Sequence, residues 1–106
     1  MMKILINSAV IAAGAYGIYR YHPATIADLK RFVTSSSVVS YIGYEETADV
    51  ILGWTGFRPE VSRQKSLLEP GDIAMVIRLK YRVDPATKGS PVVDQDWEIA
   101  YLERLA

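Results

Sequence analysis

Apolar and polar positions alternate most cleanly over residues 73–83. Ile73, Met75, Ile77, Leu79, Tyr81 and Val83 fall on one face of an extended chain, and Ala74, Val76, Arg78, Lys80 and Arg82 on the other. This spacing predicts the longest strand of the protein, with a second face that is apolar at its start and basic at its end. Residues 3–7 form a short continuous apolar run closed by the turn-forming pair Asn7-Ser8, which reads as a buried strand. Residues 38–42, 61–68 and 92–102 supply three further strands, the last with Trp97, Ile99 and Tyr101 on one face. Pro70 and Gly71 make residues 69–72 a turn, because proline presets φ and glycine tolerates positive φ.

Two segments switch to helical spacing. Over residues 25–33, Thr25 is an N-cap with Asp28 three residues on, and Ile26, Leu29 and Phe32 or Val33 form the buried stripe. In the second, Thr47, Val50, Ile51 and Trp54 recur at i, i+3, i+4 and i+7, Glu45 and Glu46 occupy the first turn, and Gly56 stands where a left-handed cap is usual. Gly43 precedes this helix and gives the backbone a turn that a side chain would resist. A strand end turning through glycine into a helix start is a common ligand site, since the first N–H groups of a helix lack intrahelical partners. Residues 10–23 read as a loop or lid carrying Tyr16, Tyr19, Tyr21 and His22, aromatics that either stack on a base or pack on the domain. Helices interspersed with strands predict an α/β fold, a single mixed sheet of about five strands flanked by short helices, in one domain over residues 1–106.

Composition narrows the chemistry. Lys plus Arg equals Asp plus Glu at 12 each, so no global positive field exists to hold duplex nucleic acid. There is no cysteine and a single histidine, which removes disulfides, thiolate nucleophiles and histidine- or cysteine-based metal clusters. No metal or cofactor is expected. Lys3 followed by apolar and small residues superficially fits a secretory signal, but the run is broken by Asn7-Ser8 and too short to span a bilayer; a buried first strand fits better. A cytoplasmic protein without a membrane partner is the expectation.

Two clusters could carry chemistry. Arg78, Lys80 and Arg82 project from one strand face, and Arg63 could join them if residues 61–68 pair with that strand as a hairpin; the set is either an anion site or a solvated face. Glu45, Glu46 and Asp49 form an acidic patch, a pattern more common on solvated helix starts than in metal sites. His22 is a catalytic acid only if its loop closes over a ligand. Phenols titrate near ~10, so Tyr44 suits hydrogen bonding better than proton donation at neutral pH.

Residues 6–10 (Ile-Asn-Ser-Ala-Val) and 42–47 (Ile-Gly-Tyr-Glu-Glu-Thr), with Gly56, Arg63, the Pro70-Gly71-Asp72 turn and Arg82, form an ordered set. It resembles the small-protein family of archaeal viruses, phages and some bacteria that includes the viral anti-CRISPR (type III) ring nucleases. The resemblance implies a twofold homodimer that binds a cyclic nucleotide second messenger, cyclic tetra-adenylate, across its interface. It also implies metal-independent cleavage, in which a ribose 2′-hydroxyl attacks the neighbouring phosphate while a histidine acts as acid. Carried over, Asn7 and Val10 fall at the N-terminal ligand loop, Gly43 and Thr47 at the turn and helix start, and Arg63 and Arg82 at the phosphate-facing arginines. Four positions depart from the pattern: Tyr44 stands at the catalytic histidine, Pro85 at a glutamate, Val10 at a serine and Glu46 at a small hydroxyl residue. The implied function is to counteract host antiviral signalling, by sequestering the messenger or by slow cleavage. A protein-interaction module that needs no nucleotide is the alternative.

Overall fold

The computed structural model describes residues 2–8, 13–35, 38–62, 68–80 and 96–106. Val10, Arg63, Arg82 and Pro85, and most of the strand expected over residues 61–68, lie outside the described residues. The elements run β1 (Lys3–Ile6), β2 (Tyr19–Pro23), α1 (Ile26–Ser35), β3 (Val39–Tyr41), α2 (Glu45–Thr55), β4 (Ile73–Leu79) and β5 (Trp97–Arg104). They build one five-stranded sheet in the order β2-β5-β4-β1-β3. β1 is parallel to both β3 and β4, while β5 runs antiparallel between β4 and β2, so the sheet is mixed.

The period-two pattern of β4 divides the core. On one face Leu5, Met75, Ile77, Trp97 and Ile99 pack against Leu29, Phe32 and Val33 of α1 and Ala48 and Ile51 of α2. On the other, Ile4, Ile6, Ala74, Val76 and Leu102 pack with Leu68. Both helices therefore lie over the same side of the sheet. Helix α1 starts with the reciprocal cap that Thr25 and Asp28 predict. The Asp28 N–H donates to Thr25 Oγ1 at 3.1 Å, and the Thr25 N–H donates to Asp28 Oδ2 at 2.9 Å. Its apolar stripe is shorter than the spacing suggests, for Ile26 in the first turn stays exposed.

Three expectations change. Residues 10–23 are not all loop: Tyr19–Pro23 forms the edge strand β2, whose Pro23 is tolerated because an edge leaves one row of backbone groups unpaired. Over Ile73–Val76 both sides of β4 are taken, by β1 and β5, so no edge of β4 is open there to the hairpin partner expected from residues 61–68. Val61 instead bridges Ile42 in parallel. Gly43 does not use the freedom a glycine offers, since positive φ among the described residues occurs only at Gly14, Gly56 and Gly71. Gly56 does close α2 in the left-handed conformation, φ 81°, with its N–H donating to Leu52 O at 2.8 Å. Gly71, φ 93°, turns the chain into β4, and its N–H donates to Arg104 O at 2.8 Å.

Candidate functional site

The carboxyl ends of β1, β3 and β4 and the start of β5 all meet at one end of the sheet, where α2 begins. The chain leaves β3 on one side of β1 and re-enters the sheet at β4 on the other, an arrangement that opens a crevice beyond the strand ends. A cavity of about 890 Å³ occupies this place. Asn7 and Ser8 follow β1 into its wall, Gly43 to Thr47 follow β3, Ile77 to Leu79 end β4 with Lys80 just beyond, and Val61 and Trp97 complete it. Its size falls in the range of small-molecule sites.

The floor is built by a cross-link between two strand ends. Asn7 Oδ1 accepts the Gly43 N–H at 2.9 Å, so the β1 end fixes the segment that feeds α2. Tyr44, the N-cap residue, is extended (φ −132°, ψ 134°) and makes no side-chain cap. Serine, threonine, aspartate or asparagine there would accept a helix N–H; a phenol cannot. The first intrahelical bond from this end is the Ala48 N–H to Tyr44 O at 3.2 Å, which leaves the N–H groups of Glu45, Glu46 and Thr47 without intrahelical acceptors at the cavity wall.

Four charged side chains line the cavity, and two of them are engaged elsewhere. Arg78 Nε donates to Glu98 Oε2 at 2.8 Å, and the Arg78 guanidinium lies 6.0 Å from the Tyr21 ring. The hydrogen bond to Glu98 raises the Arg78 pKa further. Glu45 pairs with Arg58, whose Nε also donates to Asp49 Oδ1 at 3.0 Å. Glu46 and Lys80 have no ion pair among the described residues. Trp97, buried in the core at 8% exposure, borders the cavity and meets Trp54 at 6.2 Å in a perpendicular contact.

Of the residues singled out from the sequence, Asn7, Gly43, Tyr44, Thr47 and Arg78 meet in this wall. Lys80, Glu45, Glu46 and Trp97 belong to it as well; the two glutamates read as a solvated patch, and no spacing separates a wall tryptophan from a core one. His22 is not part of it. It sits on β2, stacked on Tyr101 at 5.0 Å, with Nε2 3.8 Å from Glu103 Oε2. Among the described residues, no group of three His, Cys, Asp or Glu could hold a metal ion, and no helix is long and apolar enough to cross a membrane.

Among curated proteins, none matches the chain. Among solved structures, B116 of Sulfolobus turreted icosahedral virus is similar at a TM-score of 0.73 and 13% identity, over 98% of this chain and 100% of that one. That likeness is one of fold, reached with few shared residues. The profile of the STIV B116-like family matches residues 3–99, nearly the whole sequence, and the chain belongs to that family.

Proposed function

We propose that the protein binds a signalling nucleotide, a cyclic oligoadenylate or a relative of it, in the cavity at the strand ends, and so counteracts host CRISPR-type signalling. The observation that carries this reading is the convergence of uncapped α2 N–H groups, the cations Lys80 and Arg78 and the aromatic Trp97 around one cavity. A nucleotide needs those three kinds of contact: donors for its oxygens, positive charge for its phosphate and a flat apolar surface for its base. In the twofold dimer that the family resemblance implies, two such cavities would face one cyclic ligand. Arg63 and Arg82 are proposed as further phosphate contacts.

Sequestration fits the site better than cleavage. Cleavage proceeds by attack of a ribose 2′-oxygen on phosphorus, expulsion of the 5′-oxygen and transfer of a proton to that leaving oxygen. The chain has one histidine, and it stands outside the cavity wall. Tyr44, at the place of the family acid, is positioned to donate a hydrogen bond to the ligand. The experiment is incubation with cyclic tetra-adenylate in EDTA, with bound ligand followed by native mass spectrometry and product by chromatography. Binding of one ligand per dimer with intact ligand after long incubation is expected. Linear product that disappears in Tyr44→Phe would make the protein a nuclease. Absence of binding by any cyclic nucleotide would favour a protein-interaction module in the host cytoplasm.

A further inference from the structure

We infer that Glu98 is a positioning residue for the candidate site, one that makes the Arg78 guanidinium an oriented phosphate contact at the end of β4. The inference rests on the nucleotide-binding reading above and adds how the phosphate is held. β4 and β5 pair antiparallel with Arg78 directly opposite Glu98, so the sheet register itself brings the two side chains together. Arg78 Nε donates to Glu98 Oε2 at 2.8 Å. The Tyr21 ring, on β2 at the other side of β5, lies 6.0 Å from the guanidinium. Arg78 lines the cavity, whereas Glu98 and Tyr21 stand outside its wall. Three neighbouring strands thus converge on one wall cation.

A guanidinium is a planar fork of five N–H donors, and the bond to Glu98 takes the one on Nε. A carboxylate there fixes the plane of the fork and leaves the edge formed by Nη1 and Nη2 for a second oxyanion, the edge that meets two phosphate oxygens at once. Lys80, by contrast, has no ion pair among the described residues and offers a point charge on a flexible stem. The Arg78–Glu98 pair adds little to stability, because its side chains are 42% and 34% exposed and water screens their attraction. Its consequence lies in where the arginine is held.

Two effects of Glu98 oppose each other. Its charge repels a phosphate, so if it were only a counter-ion, removing it would tighten binding. As a positioning group it spares the ligand the cost of ordering the long arginine side chain, and removing it weakens binding. Glutamine separates the two, since its side-chain oxygen still accepts the Nε–H without the charge.

The test titrates cyclic tetra-adenylate and cyclic di-adenylate into wild type, Glu98→Ala, Glu98→Gln, Arg78→Ala and the double variant Arg78→Ala/Glu98→Ala by calorimetry, with thermal melts to check folding. The expected result is binding about five- to tenfold weaker in Glu98→Ala, recovery of most of that loss in Glu98→Gln, and no further effect of Glu98→Ala once Arg78 is replaced. Tighter or unchanged binding by Glu98→Ala overturns the inference and leaves the nucleotide reading standing, as does an equal loss in the Arg78→Ala background. Absence of binding of both ligands by wild type removes the nucleotide reading, and the role of Glu98 with it.

Discussion

Tyr44 sits in the position that normally protects a helix start and cannot protect it. Its backbone already has the extended geometry of an N-cap, so a serine placed there needs no rearrangement to bring Oγ to the N–H of Glu46 or Thr47. Replacing the ring also removes whatever packing its buried part contributes, since Tyr44 is 59% exposed rather than fully so. The informative comparison is therefore Tyr44→Ser against Tyr44→Ala, both of which lose the ring while only one gains a cap. The cap is worth about 1 kcal/mol, within a range of about 0.5–2. At about 2.1 cal/mol/K per residue, a chain of 106 residues has an unfolding entropy near 0.22 kcal/mol/K, so the serine variant melts about 4–5 °C above the alanine variant. Differential scanning calorimetry of the two at one pH and salt measures this directly. The serine variant also binds the nucleotide more weakly than the alanine variant by a similar free energy, because Oγ competes for the donors the ligand uses. Coincident melting of the two variants would show that these N–H groups are already satisfied, and the account of the site as an open helix start would fall.

Asn7→Ala frees the Gly43 N–H and loosens the entry to α2, so ligand affinity falls by about tenfold while the loss of stability stays near 1 kcal/mol; titration and urea melts on one preparation separate the two. Asp72 is buried and accepts from the N–H groups of Met2 at 2.8 Å and Glu69 at 2.9 Å; Asp72→Ala leaves both unpaired, costs about 2–4 kcal/mol and lowers the melting temperature by about 10 °C or more. The Asp28 carboxyl titrates below its usual range, first because it accepts the Thr25 N–H, so its contribution is present at neutral pH and lost as pH falls below about 4. Asp28→Asn therefore lowers the melting temperature at pH 7 and makes its decline in acid shallower. Met75→Ala costs about 2–5 kcal/mol from a fully buried site, whereas Ile26→Ala, at an exposed position of the helical stripe, stays within about 0.5 kcal/mol; chemical denaturation distinguishes them.

The parts of the fold that were legible in the sequence are those where burial imposes a period. The alternation from Ile73 to Leu79 predicts both faces of β4, and Trp97, Ile99 and Tyr101 keep the face their spacing assigns. Gly56 and the Pro70-Gly71 turn act where backbone conformation requires them. Strand β2 was not legible because an edge strand need not alternate toward a core. Tyr19–Pro23 sets Tyr19 and Tyr21 on one face and Arg20 and His22 on the other with no aliphatic stripe, behind a segment with two glycines, and pairing with β5 makes it a strand. In the cavity wall, the logic of strand end, turn and helix start points to Gly43 and Tyr44, and the family resemblance to Asn7 and Thr47; Gly43 does not take the positive φ a glycine allows, and its N–H is tied to Asn7. The alternation gives Lys80 as one of three cations on a strand face, whereas placing it in one wall with Glu46 and Trp97 needs the fold, because β4, α2 and β5 lie far apart in the chain.

The place of β5 constrains how the protein can be made. The last strand of the chain is not at the rim of the sheet but inserted between β4 and β2, and it joins Tyr19 to Arg104. Until residues 97–104 have been synthesised, β2 has no neighbour in the sheet and β4 shows a bare edge of apolar sequence. Pairings of such long sequence separation demand large loop closures before any reward, which slows folding and prolongs the exposure of unpaired strands. Strands β4, β1 and β3 can pair before β5 is made, but β2 and the open edge of β4 wait for residues 97–104, and chains cut short before β5 are left open to aggregation and proteolysis.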